Sequence, residues 1–176
     1  MRIVAGRFGG RRLAAPRGAH TRPTSERVRE ALFSALGDVS GARVLDVFAG
    51  SGALGIEALS RGAAEATFVD SAPAAVRAVR ANLTSLAIEA EVQRADARAF
   101  LRAARKRGRQ YDLVLIDPPY RRASALAGDL AGALPPLLAP GARVVVESDR
   151  RAPLELDTPL LDERRYGDTL IRIHGS

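Results

Sequence analysis

Apolar residues cluster in three short runs spaced along the middle and end of the chain: Val44-Leu45-Asp46-Val47-Phe48, Leu113-Val114-Leu115-Ile116 and Val144-Val145-Val146. Runs this short and this continuous mark strands buried on both faces of a parallel sheet. Together with two weaker segments they predict strands at Arg43–Phe48, Ala66–Asp70, Ala90–Arg94, Tyr111–Asp117 and Arg143–Glu147. Between them the apolar period lengthens to that of a helix. Helices are predicted at Leu54–Arg61, closed by Gly62, and at Pro73–Leu86, with Val76, Val79, Leu83 and Leu86 on one face. Two more are predicted at Ala97–Lys106, closed by Gly108, and at Ser124–Leu134. Before this alternation, Thr24 suits an N-cap, and Val28, Leu32 and Leu36 follow at helical spacing until Gly37. The first 16 residues suggest two short strands, Arg2–Ala5 and Arg11–Ala15, around Gly9-Gly10, and Arg164 to His174 suggests a closing hairpin. Five βα units then a hairpin predict a doubly wound α/β domain over 23–176, preceded by a small β-hairpin arm over 1–22.

Charge distinguishes the arm from the rest. The net charge of +7 comes from 27 Lys+Arg and 20 Asp+Glu, and residues 1–30 alone, with eight arginines and two glutamates, carry +6 of it. A basic arm of this kind suits contact with phosphate. Arg98 to Arg109 carries six further positive charges without an acid, for which the solvated face of a helix is an equally good reading. With no cysteine and two histidines, disulfides, thiolate zinc, a cysteine nucleophile and a histidine-rich metal cluster are excluded, and no metal is expected. The longest charge-free stretch, Leu130 to Ala142, is 13 residues and holds three prolines. A span needs about 20 apolar residues. No signal-like apolar segment opens the chain, so a cytoplasmic location is expected.

Candidate chemistry falls at the carboxyl ends of the predicted strands, where open parallel sheets bind ligands. After the first comes Phe48-Ala49-Gly50-Ser51-Gly52-Ala53-Leu54-Gly55, which also satisfies the dinucleotide G-x-G-x-x-G pattern. Twenty residues after Gly50, Asp70 ends the second strand. A carboxylate there accepts ribose hydroxyls in both nicotinamide and S-adenosylmethionine sites. Asp117-Pro118-Pro119-Tyr120, after the most apolar strand, favours the second cofactor. Paired prolines fix the backbone and remove two N–H donors. The Asp117 side chain and the Pro118 carbonyl can then accept both hydrogens of an exocyclic nucleobase amine, with Tyr120 stacking on the extruded base. Orientation and electrostatics would carry catalysis, with no histidine base needed. Asp46 suits the cofactor's amino group, Phe48 its sulfonium, and Asp96 either its adenine or the N-cap of the next helix. Glu147 has a weaker claim on the site.

These motifs resemble, in order and over nearly the whole chain, the bacterial 16S rRNA guanine-N2 methyltransferase D family. The matching blocks are Arg2–Gly6 with Gly10–Leu13, Arg22–Thr24 with Arg27–Phe33, Phe48–Ala63, Asp117–Tyr120 and Tyr166–Thr169. The resemblance implies a class I, Rossmann-like methyltransferase with a mostly parallel seven-stranded sheet. It would move a methyl group from S-adenosylmethionine to N2 of one guanine in 16S rRNA of a partly assembled 30S subunit. Separately, the sequence carries no positive sign of an oligomer, so a monomer is expected. Cofactor contacts are expected from Asp46, Phe48, Ala49, Gly50, Ser51, Gly52, Asp70, Ser71, Asp96 and Ala97, and guanine contacts from Asp117, Pro118, Pro119 and Tyr120. RNA contacts are expected from Arg7, Arg11, Arg12, Arg22, Thr24 and Arg29. Many relatives carry Phe in place of Tyr120, and several a basic residue in place of Gly9. The alternatives are an adenine-N6 methyltransferase of DNA or RNA, disfavoured by the lack of an inserted recognition domain, and a non-catalytic RNA-binding assembly factor that holds the cofactor. A nicotinamide-linked dehydrogenase would leave Asp117–Tyr120 unexplained.

Overall fold

A computed structural model describes residues 1–16, 25–118, 128–130 and 132–176. The elements run α1 (Glu26–Leu36), β1 (Arg43–Val47), α2 (Ala53–Ser60), β2 (Glu65–Asp70), α3 (Pro73–Leu86), β3 (Glu91–Arg94), α4 (Ala97–Lys106), β4 (Tyr111–Ile116), β5 (Leu138–Asp149), β6 (Leu160–Tyr166) and β7 (Thr169–Gly175). One sheet takes all seven strands in the order β3-β2-β1-β4-β5-β7-β6. The first five are parallel, and β7 is antiparallel to both β5 and β6.

The apolar runs are continuous because each strand feeds two cores. Val44, Leu113, Leu115 and Val145 enter the core under α1, α2 and α3. Their alternates Leu45, Val47, Val114, Ile116, Val144 and Val146 enter the one shared with α4 and Leu130–Leu138. Side chains on successive strand residues point to opposite faces, so a strand covered on both sides has no polar phase to show.

Four elements depart from the expectations, one being the closing hairpin, whose first strand β6 begins at Leu160, four residues before Arg164. The arm forms one antiparallel bridge, Arg2 to Arg12, in place of two strands. The N–H groups of Ile3 and Leu13 donate across the arm to the Arg11 and Met1 carbonyls. Those of Val4, Ala5, Arg7, Phe8 and Ala14 turn to the body of the protein, and the Ile3 and Leu13 side chains sink into the first core. Strand β5 begins at Leu138, five residues early. Its register against β4 jumps from Leu138 to Arg143, and Gly141 in the irregular part has φ +74°. Pro140-Gly141 marks a loop in sequence, yet an irregular pairing absorbs it. Helix α1 takes its cap from Ser25, whose hydroxyl accepts Val28 N–H at 3.2 Å; Thr24 lies outside the described residues. Of the segment Ser124–Leu134, residues 124–127 and 131 lie outside them too, and residues 128–130, 132 and 133 are helical.

Candidate functional site

Strand order reverses at β1: the chain moves to β2 and β3 on one side, then crosses to β4 and β5 on the other. The register pairs Val47 with both Val69 and Ile116. The segments leaving β1, β2 and β4 therefore emerge side by side at the switch point, the expected crevice of an open α/β sheet.

The loop after β1 is a tight, left-handed path. Phe48, Gly50 and Gly52 have φ of 64°, 57° and 78°. For Phe48 this costs about 1–2 kcal/mol, and non-glycine residues held this way concentrate at functional sites. Ala49 N–H donates to Val69 O at 3.1 Å and Gly52 N–H to Ala49 O at 2.6 Å, closing the turn. A Cβ on Gly52 would press on Ile56, Phe68 and Val79 at 3.3 Å, whereas one on Gly50 would meet only Phe48 O at 3.9 Å. The loop is packed beneath and approachable at Gly50.

Asp70 ties that loop to β2. Its Oδ2 accepts Gly50 N–H at 2.9 Å and its Oδ1 accepts Ala72 N–H at 2.8 Å, across the twenty-residue spacing noted in sequence. Each carboxylate oxygen keeps a lone pair for a further donor, and Ser71 beside it is exposed. Asp46 is 2% exposed, and its Oδ2 accepts Gly55 N–H at 3.0 Å in the first turn of α2. Burial pushes its pKa up to about 8; the Gly55 hydrogen bond opposes this and the Asp70 charge adds to it. Asp96 is exposed and caps α4 by accepting Ala99 N–H at 3.2 Å, with Ala97 buried behind it. Ala49 and Ser51 are 8% and 7% exposed. Asp117 is half-buried at the end of β4 and Pro118 is buried; Pro119 and Tyr120 lie outside the described residues.

Of the arginines expected to meet RNA, Arg7, Arg11 and Arg12 are exposed. Arg7 lies over the Phe8 ring at 5.1 Å, and Arg11 Nη2 donates to Ser85 O at 2.5 Å. Arg22 lies outside the described residues, like Thr24. Arg29 is a correction: it is fully buried on α1 and unavailable to RNA. Its guanidinium donates to the Arg2 carbonyl and lies near Glu57, Glu26 and Glu147, so its charge fixes the arm inside the protein. Burial lowers its pKa, and the three glutamates oppose that.

Three residues that sequence reasoning passed over complete the arrangement. Glu57 on α2 is fully buried and accepts Val4 N–H at 2.8 Å, Ala5 N–H at 3.0 Å and Arg61 Nε at 2.8 Å. Ser60 takes Arg7 N–H on its carbonyl at 2.7 Å and Phe8 N–H on its hydroxyl at 3.0 Å. Asn82 on α3 brackets Ala14, with Oδ1 accepting its N–H at 2.8 Å and Nδ2 donating to its carbonyl at 3.0 Å. The available signal was Glu57 itself, a carboxylate inside the otherwise apolar run Leu54–Leu59. Among the described residues no group of His, Cys, Asp or Glu could hold a metal ion, and no helix is long and apolar enough to cross a membrane.

The model of the family described as Conserved hypothetical protein 95 matches residues 1–175. The ribosomal RNA small subunit methyltransferase D of Escherichia coli K12 is 44% identical over 124 residues, covering 69% of this chain and 61% of that protein. The protein of the same name from Haemophilus influenzae is 34% identical over 182 residues, covering 99% and 93%. A hypothetical protein of Thermus thermophilus superposes with a TM-score of 0.87 at 32% identity, covering 100% of this chain and 99% of that one. A 16S rRNA N2 methyltransferase of the same organism, solved with AdoMet and guanosine, shares the fold at a TM-score of 0.68 and 22% identity, covering 92% and 45%. The sheet and its crossing helices are those of a Rossmann-like class I methyltransferase, mostly parallel with an antiparallel edge.

Proposed function

We propose, from the fact that this chain belongs to the family described as Conserved hypothetical protein 95, the family of ribosomal RNA small subunit methyltransferase D, that it transfers a methyl group from S-adenosylmethionine to the exocyclic N2 amine of a guanine in 16S rRNA. One observation carries the reading. The glycine loop closed on Asp70 and the carboxylate of Asp117 leave neighbouring strands at the same level, with Val47 opposite Ile116.

The residues present fit the cofactor. Gly50 offers approachable backbone, and both Asp70 oxygens are fixed by backbone donors, ready to accept ribose hydroxyls, with Ser71 alongside. Asp46 offers a buried carboxyl for an ammonium group, Phe48 an aromatic ring for a sulfonium, and Asp96 and Ala97 an edge for adenine. When bound, S-adenosylmethionine supplies an electrophilic methyl group on sulfur. Asp117 and the Pro118 carbonyl accept the amine's two hydrogens and orient its nitrogen, with Tyr120 stacked on the base. The proton released after transfer passes to solvent. The arm over 1–22 serves as an RNA contact through Arg7, Arg11 and Arg12, and 23–176 as the catalytic domain. The substrate is the small subunit while partly assembled, met by a monomer in the cytoplasm.

The test is incubation of the protein with labelled S-adenosylmethionine and immature small subunits, followed by digestion of the RNA. Label in N2-methylguanine is expected. Label in N6-methyladenine would replace guanine by adenine in the reading, and no label with the cofactor bound would leave an assembly factor without turnover.

A further inference from the structure

A buried amide lies between the arm and the glycine loop. Asn82 is 3% exposed on the buried face of α3. Besides bracketing Ala14, its Nδ2 donates to the Ser51 carbonyl at 2.9 Å. The amide orientation is fixed by its partners: reversed, it would set an NH2 group against the Ala14 N–H and its oxygen against two carbonyls. One amide thus holds the end of the arm to the middle of the glycine loop. The arm's other end reaches the same residue, where Ser51 Oγ donates to Met1 Sδ at 3.4 Å, and Leu13 N–H to Met1 O at 3.0 Å joins the two ends.

We propose that Asn82 is a positioning residue that couples the arm to the cofactor loop, so that the docked arm and bound cofactor each favour the other. The inference rests on the reading of Gly50–Gly52 as a cofactor loop. The outer side of the arm exposes Arg7, Arg11 and Arg12, while its inner side hydrogen-bonds through Asn82 to Ser51. Order imposed on either segment is transmitted to the other through three hydrogen bonds of one amide on one rigid helix. Coupling between sites is reciprocal: if docking the arm strengthens cofactor binding by a factor, the cofactor stabilises the docked arm by the same factor. A hydrogen bond of ordinary net worth makes that factor about threefold to tenfold.

The experiment uses the full chain and S-adenosylhomocysteine, which binds without turnover. Calorimetry gives its affinity, and hydrogen exchange read by mass spectrometry follows the arm, residues 1–15. The hairpin Leu160–Gly175, at the far edge of the sheet, serves as the internal control. In the wild type the compound is expected to slow exchange in the arm threefold to tenfold more than in the hairpin. Asn82→Ala should abolish that excess and weaken binding by a similar factor. Ala14→Pro approaches from the other side, removing one of the two Asn82–Ala14 hydrogen bonds while sparing Asn82 and the loop; it is expected to reduce both the excess and the affinity. Should Asn82→Ala fail to fold, the wild-type comparison and Ala14→Pro decide. Tight binding with arm exchange that merely follows the hairpin overturns this coupling and leaves the proposed activity standing. Unchanged affinity and excess in Ala14→Pro overturns it as well. No binding heat in the wild type would overturn both the coupling and the cofactor reading.

Discussion

Binding of S-adenosylmethionine is expected to expel a proton, and Asp46 is its source. With a pKa near 8, this carboxyl is about nine-tenths protonated at pH 7 in the unliganded protein. An ammonium group brought beside it favours the charged form by roughly 1–3 pKa units. The pKa then falls to between about 7 and 5, so that binding releases about 0.4 to 0.9 proton per cofactor at pH 7. Affinity should accordingly rise with pH up to about 7.5, above which the ligand's own ammonium starts to lose its charge. Calorimetric titrations at pH 7 in phosphate and in Tris, which differ in ionisation enthalpy, read the proton count directly. Asp46→Asn should release none and bind with an affinity that does not vary over this range. Equal heats in the two buffers for the wild type, or the same release from Asp46→Asn, would refute the reasoning. Stability supplies a second readout. The folded carboxyl holds its proton up to about pH 8, while the unfolded chain loses it near pH 4. The native state therefore binds more protons in that window. The contribution of Asp46 to the stability of the unliganded protein declines as pH rises from about 4 to about 8, and Asp46→Asn should remove it.

Asp117→Ala is expected to abolish methyl transfer while S-adenosylhomocysteine still binds; loss of both in parallel, by calorimetry and activity, would make the residue structural. Glu57→Ala leaves the Val4 and Ala5 N–H groups and Arg61 without their shared acceptor, at a cost of about 2–5 kcal/mol. At roughly 2–4 °C per kcal/mol for a chain of this size, the melting temperature should fall by about 4–20 °C, and a change under 2 °C in a circular-dichroism melt would contradict the clamp. Replacing Arg7, Arg11 and Arg12 together by Gln should flatten the logarithmic salt dependence of RNA binding by up to about 2, from roughly 0.7 per phosphate contact on single strands. A filter-binding slope equal to that of the wild type would show that this face of the arm does not meet phosphate.

The boundaries of α3 and α4 were legible to the residue because a proline opens one, an aspartate caps the other, and their apolar faces repeat cleanly. The twenty-residue spacing put Gly50 and Asp70 at one candidate site, while the hydrogen bond that joins them was visible only in the fold. Less could be read where a residue's partner is remote or its signal ambiguous. Arg29 counts in sequence as one more charge of a basic arm, because the glutamates that make its burial tolerable sit on other elements. Asn82 resembles any polar residue on a helix until the arm is folded onto it. Phe48 gives no hint of its left-handed backbone, since only packing makes a phenylalanine adopt it. In β5, Pro140-Gly141 argues locally for a loop, and the pairing of Leu138 with Tyr111 overrides it.

The clamp on the arm also sets an order of events during synthesis. Its acceptors on α2 lie 52 or 53 residues downstream of Val4, Ala5 and Phe8, and Asn82 lies 68 residues beyond Ala14. The segment made first consequently has nothing to dock against until the first two βα units have emerged and closed. At translation speeds of about 5–20 residues per second, Ala14 waits roughly 3–14 s for Asn82 to be made. For that interval a nascent chain rich in arginine hangs unsatisfied beside the ribosome's own RNA, and a timely α2–β2–α3 unit is what retrieves it.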